Sequence, residues 1–347
     1  MRTCLVLACI LALGCQSKKM QDVVLKEEDA QVDLAGFGMP TLSGYGLFTG
    51  DMRNLMPVKD VFPYDINAAL FSDYALKKRL IKLPSNGVIR YKELDTFDFP
   101  EGTILIKNFY YPADFNKPDS AIRILETRLL ILEQEKWKPL TYIWNDEQTE
   151  AYLDVAGKEI PISWMDTHGV RQSINYSVPS NNQCKGCHLK GDQVMPIGPS
   201  ARQLNRNNQL VQWQREGHMV DVPATGIPRL ADYDNVNESI SVRARAWLEI
   251  NCAHCHRPDG QAKTSGLHLM ADLPLSMETG IGKKPVAAGK GSGGRRFSIV
   301  PGQPDESILV YRLESTDPGI MMPEMGRKLV HQEGVDLVRK WIEEMKP

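Results

Sequence analysis

The chain has 347 residues, a formal net charge of −2 and 42% hydrophobic residues. At about 100–200 residues per domain this is material for two or three domains, each able to bury a core. The near-neutral balance and the scatter of basic residues exclude nucleic acid as the expected partner.

Residues 1–15 read as an export signal. Arg2 is a minimal basic region, Leu5–Leu13 a short apolar run, and Ala12-Leu13-Gly14-Cys15 places a small residue directly before a cysteine. The run is shorter than the roughly 20 residues a helix needs to span a bilayer. The segment resembles a bacterial lipoprotein signal. That resemblance implies lipidation of Cys15 and a lipid-anchored protein of the periplasm or outer membrane. Plain secretion is the alternative, because Ala12 stands where the lipobox usually has leucine. Residues 16–33 are polar and charged and are expected to form a flexible tether.

Residues 34–165 carry a β pattern. Gly102–Tyr111, Ile122–Glu133, Pro139–Asn145 and Glu150–Val155 are rich in β-branched, leucine and aromatic residues and are bounded by turn formers. Turns are expected at Glu135–Lys138 and Ala156–Lys158, and an all-β sandwich or barrel fits. Asp73, Glu126 and Arg128 are expected to be structural ion pairs or solvated positions.

Residues 166–235 hold the first of two cysteine motifs, Cys184-Lys185-Gly186-Cys187-His188. Tyr176–Gln183 before it contains Pro179 and turn formers and is read as non-helical. A helix is predicted over Asn207–Glu216. The segment is short enough to be a reduced haem module that borrows part of its pocket from neighbours.

Residues 236–347 hold the second motif, Cys252-Ala253-His254-Cys255-His256. Helices are predicted over Glu238–Ile250, from Pro304 to about Glu314, and over Glu333–Met345, from 3.6-residue periodicity and first-turn proline and acidic residues. His254 and His268 are read as surface or capping histidines. The glycine-rich run Gly282–Arg296 lacks phosphate-loop spacing and is read as a surface loop.

Of seven cysteines, Cys4, Cys9 and Cys15 lie in the signal; the other four make up the two motifs. CxxCH is the haem-attachment pattern. Two thiols at this spacing reach the two vinyl groups of one haem, and the next histidine supplies an axial nitrogen. A shared Cys4 zinc site would leave both histidines unexplained and usually has its pairs closer together. A thioredoxin-like redox pair would need a βαβ setting. The expected cofactors are therefore two haem c groups (iron), attached at Cys184, Cys187, Cys252 and Cys255, with His188 and His256 as ligands. The second distal ligand is expected in the loop Ile320–Gly326, at Met322 or else Met321. For the first haem Met195, His218, Met219, Met165 and His168 remain candidates, Met195 first, and an open position is the alternative.

The segments Phe62-Pro63-Tyr64-Asp65-Ile66-Asn67, Leu70-Phe71-Ser72-Asp73-Tyr74-Ala75, Phe99–Thr103, Glu126–Leu130 and Trp144-Asn145-Asp146 resemble a family of bacterial exported dihaem c-type cytochromes. Asn182-Gln183-Cys184, Pro196–Pro199 and Leu204-Asn205 match it as well. In that family a β-rich N-terminal region precedes two CxxCH sites, which implies haem binding and electron transfer but no substrate. The fold class expected is thus multidomain: an N-terminal all-β domain followed by mainly α cytochrome c-like haem modules. Electron transfer between redox partner proteins of the cell envelope is the leading function. A peroxidase-type dihaem oxidoreductase with an open first haem is one alternative; a docking module whose haems relay electrons for a dehydrogenase is another.

Overall fold

A computed structural model describes residues 37–119 and 121–346. The signal, the tether and Cys15 lie outside the described residues.

The largest element is an antiparallel sheet. Its strands are β1 (Val61–Pro63), β2 (Leu76–Lys82), β4 (Ile104–Pro112), β5 (Ile122–Glu133), β6 (Lys136–Trp144) and β7 (Ala151–Asp154), in the order β1-β2-β4-β5-β6-β7. The strand β3 (Ile89–Arg90) pairs in parallel with β12 (Met219–Val220), outside this sheet. The β5–β6 turn sits on Gln134 and Glu135, both at positive φ (53° and 61°). That is the two-residue hairpin geometry whose twist matches the strands.

Strand alternation divides the sheet's residues between two faces. The row Leu80, Ile106, Leu129, Leu140 looks one way and is covered by Leu42, Leu47 and Leu55 of the preceding segment. The row Ile81, Leu105, Leu130 looks the other way. It packs with Leu204, Leu210 and Trp213, brought by α2 (Ala201–Leu204) and α3 (Gln209–Arg215). Between them, on this second face, lies the row Arg79, Lys107, Arg128, Thr141.

A second hairpin, β8 (Lys158–Met165) and β9 (Arg171–Val178), follows the sheet. The expected boundary at 165/166 falls in its turn. Pro179 ends β9, and Ser180 starts α1 (Asn181–His188) with a reciprocal capping box to Gln183. The stretch read as non-helical therefore enters a helix three residues before Cys184. The short hairpin β10 (Leu189–Lys190) and β11 (Gln193–Val194) comes next.

The last part contains α4 (Ile240–Leu248), α5 (Ile308–Glu314) and α6 (Gln332–Glu343). Helices α4 and α6 touch at Gly334, where a Cβ would come within 2.4 Å of the Trp247 ring. Only glycine permits that approach.

The expected fold class is corrected. The described residues contain six α-helices, the longest of twelve residues, and the chain after 165 is not a set of mainly α haem modules. The reason lies in the chain's punctuation. With 27 glycines and 22 prolines, long helical periods do not develop. Short helices instead bury their apolar faces either on the sheet, as α2 and α3 do, or on one another, as α4, α5 and α6 do. Phe37–Pro347 accordingly pack as one unit.

Candidate functional site

The first motif is set by α1. Ser180 Oγ accepts from Gln183 N at 3.3 Å, and Gln183 Oε1 accepts from Ser180 N at 2.8 Å. Cys184 and Cys187, three residues apart on the helix, therefore share one face. His188 closes the helix. Its Nδ1 lies 2.8 Å from the carbonyl oxygen of Met195, and Met195 N donates to His188 O at 2.8 Å. A carbonyl can only accept, so Nδ1 carries the proton and Nε2 presents a bare lone pair. Burial pulls the His188 pKa down to about 4, which keeps the ring neutral. The β10–β11 hairpin is what carries Met195 back to the histidine.

The second motif repeats this logic with different parts. Helix α4 gives way at Glu249–Ala253 to one wider π turn, which brings in Cys252. His256 Nδ1 lies 3.3 Å from Ser265 Oγ. The Ser265 hydroxyl proton goes to Ala262 O at 2.7 Å, so the imidazole is the donor here too. Nε2 is again unprotonated, and burial again pulls the pKa to about 4.

The two motifs meet. Cys255 Sγ lies 3.6 Å from Gly186 O of the first motif. The Cys255 thiol and His254 beside it hold the Cys187 thiol well below its ordinary pKa. All four described cysteines are free of disulfides. His254, read as a surface or capping residue, instead lines the cleft beside Cys187, and its Nδ1 is buried without a hydrogen-bond partner.

This cleft holds about 1690 Å³ of empty space counted out to solvent. Its floor is the sheet row Arg79, Lys107, Arg128 and Thr141. Cys184, Cys187, His188 and Pro196–Pro199 line the cleft from the first motif, and Trp247, Asn251, His254, Met322, Met325 and His331 line it from the C-terminal part. The methionine loop is held from both sides. Arg327 is buried and donates through Nη2 to Ser315 O and Met322 O, each at 2.9 Å. Asp73 accepts from Lys328 N and Leu329 N, both at 2.8 Å. Asp73 thus serves a structural role, and so does the Glu126–Arg128 pair, with Arg128 Nε 2.7 Å from Glu126 Oε2. Met325 Cε would lie 2.6 Å from a Cβ on Gly186, so the tip of Met325 packs directly over that position of the first motif.

Of the residues singled out in the sequence, Cys184, Cys187, His188 and Met322 line the cleft, and Cys255 reaches its edge at Gly186. Cys252 is buried behind them, and His256 turns its Nδ1 edge to Ser265. Met195 lines a neighbouring cavity and is tied through its backbone to the Nδ1 side of His188. Three residues were missed. Lys107 is a single cation at an inward position of an apolar strand, a signal the sequence does carry; Arg79 lies in the cation-rich run Leu76–Lys82. His331 gave none: it is half-buried, stacks on Phe71 at 4.4 Å and accepts from Trp247 Nε1 at 2.8 Å.

The expectation of a metal-binding protein is corrected for ions held by the chain alone. Among the described residues no three His, Cys, Asp or Glu side chains converge on a position that could hold a metal ion. The four motif cysteines do not gather into one tetrahedron because Cys184 and Cys252 are turned into separate buried environments. An iron carried inside a porphyrin needs only axial side chains, so this correction does not reach a haem. Among the described residues no helix is long and apolar enough to cross a membrane. No family model matches the chain, and no curated protein or solved structure matches it either.

Proposed function

We propose that the chain is a dihaem c-type cytochrome that passes electrons between redox partner proteins of the cell envelope. Haem attaches at Cys184 and Cys187 under His188, and at Cys252 and Cys255 under His256. One observation carries the reading. Both motif histidines are half-buried and neutral, each donates through Nδ1 to an oxygen of the chain and leaves Nε2 unprotonated, and the four motif thiols are free. That second-shell arrangement fixes the tautomer and ring orientation a metal-ligating histidine needs. The orphaned Nδ1 of His254 and the size of the shared cleft fit a large planar group there.

A bound haem iron supplies one-electron exchange, and the chain supplies attachment, orientation and exclusion of water. Met195 orients His188 through its carbonyl, which makes it a positioning residue. Met322, on a loop held by Arg327 and Asp73, would supply a thioether sulfur to the second haem. The methionine raises the potential relative to two nitrogen ligands.

The test is optical titration of protein made with cytochrome c maturation machinery. Two covalently bound haems per chain, both reversibly reduced and reoxidised, are expected. A protein that folds but carries no covalent haem would overturn the reading.

A further inference from the structure

The cleft floor has a charge problem that the chain does not solve by itself. Arg79 pairs with Lys107 across β2 and β4, and Lys107 with Arg128 across β4 and β5. Directly opposite side chains on one face stand about 4.5–5.5 Å apart at Cβ, where like charges destabilise a sheet. Lys77, one row along on the same face, adds a fourth cation and donates to Leu70 O at 2.9 Å. Of the two carboxylates in these rows, Asp154 stands at the far end beyond Thr141 and accepts from Gly157 N, while Glu126 is fully buried and already committed. It takes Arg128 through both oxygens, at 2.7 and 2.5 Å, and the Tyr176 hydroxyl at 2.7 Å.

Arg79 and Lys107 have no carboxylate within ion-pair distance among the described residues. Asp73 faces this region but its oxygens are occupied by the amides of Lys328 and Leu329. Asp65 acts on Arg79 only at longer range. Lys107 has the Phe109 ring 5.2 Å from its Nζ. Burial lowers the pKa of both groups, Lys107 to about 7. Arg79 and Lys107 are half-buried, and a cation partly withdrawn from water is costly unless something anionic meets it. The rest of the cleft is largely apolar, with Leu105, Leu130, Ile197 and Trp247. A fitting ligand therefore has an apolar body and an anionic edge.

We infer that Arg79, Lys107 and Arg128 form a binding site for carboxylates brought into the cleft. The guanidinium fork matches a carboxylate in two hydrogen bonds, and the ammonium beside it serves as a point charge. The propionate groups of the haem attached at Cys184 and Cys187 are the expected source, and that assignment rests on the haem reading. A free dicarboxylate entering the cleft is the other source of the same chemistry.

The experiment compares wild-type holoprotein with Arg79→Gln and Lys107→Met, with exposed Arg90→Gln as control. Each of the first two substitutions removes a half-buried cation that has no carboxylate partner among the described residues, so the variants are expected to fold. Intact mass first counts haems, which tests the haem reading separately. Resonance Raman then reads the propionate bending band, which responds to hydrogen bonding. The band should shift in the first two variants and stay in place in the control. Calorimetric titration with succinate covers the other source. An unmoved band with succinate binding that weakens at least tenfold in Arg79→Gln keeps the carboxylate site and assigns it to a free ligand. An unmoved band without succinate binding overturns the proposal. If the mass shows no haem, the succinate titration alone decides whether the site binds carboxylates.

Discussion

Glu126 offers a direct measure of the charge balance at the cleft floor. Its carboxylate is fully buried and accepts three hydrogen bonds, from Arg128 Nε, Arg128 Nη2 and the Tyr176 hydroxyl. Glu126→Ala leaves a guanidinium that is 28% exposed with no partner, beside Arg79 and Lys107, and strands a buried phenol. Breaking a buried ion pair from one side costs about 3–5 kcal/mol. The orphaned hydroxyl belongs to the same network, so its own cost of about 1–3 kcal/mol overlaps with this and does not simply add. A loss of about 4 kcal/mol is therefore expected in urea unfolding, read as a lower midpoint at unchanged slope. Removing both charges in Glu126→Ala/Arg128→Met should recover most of the loss, because an apolar pair replaces a buried ion pair at little net cost. A single-variant loss under about 1 kcal/mol would refute the reasoning. So would a double variant as unstable as the single one.

Three further predictions concern the same region. Asp73→Ala frees the amides of Lys328 and Leu329 and should destabilise by about 1.5–3 kcal/mol, with faster hydrogen exchange across the Met322 loop; unchanged exchange would remove Asp73 as the loop's anchor. Lys107 has a pKa of about 7 in the fold against about 10.4 in an unfolded chain, so the folded state binds fewer protons between those values. Its destabilising effect is complete below about pH 7 and fades as pH rises towards about 10. Haem-free wild type should accordingly gain stability relative to Lys107→Met over that window, and a pH-independent difference in urea midpoints would contradict the assignment. In haem-free protein Cys255 meets the first motif at Gly186, beside Cys187, so oxidised glutathione should take two electrons and two protons from the two thiols and join the motifs by a disulfide. Peptide mapping should find that pair; linkage within each CxxC instead would show that the motifs do not meet.

Much of the β architecture was legible because burial and alternation agree in it. The strand read at Ile122–Glu133 has those bounds in the structure. The helices at Glu238–Ile250 and Glu333–Met345 are present as α4 and α6, slightly shortened, because their apolar periods face a core. Strand β2 escaped notice since Leu76-Lys77-Lys78-Arg79-Leu80 puts cations at inward positions, and inward cations have a function only once the cleft exists. In β8, Pro161 masked a clear alternation of buried and exposed residues. Helix α1 was hidden by Pro179, although Ser180 and Gln183 spelled out its cap. The meeting of the motifs was beyond local pattern altogether. Gly186 and Cys255 are distant in sequence, and only tertiary packing brings them together.

The central claim is that each CxxCH carries one covalent haem. Intact-mass analysis of the mature protein and of Cys184→Ala/Cys187→Ala and Cys252→Ala/Cys255→Ala tests it most directly. Two haem additions are predicted for the wild type and one for each variant, with the remaining haem mapped to the untouched motif. A folded wild-type protein of unmodified polypeptide mass, made alongside a cytochrome c that does acquire haem, would contradict the account.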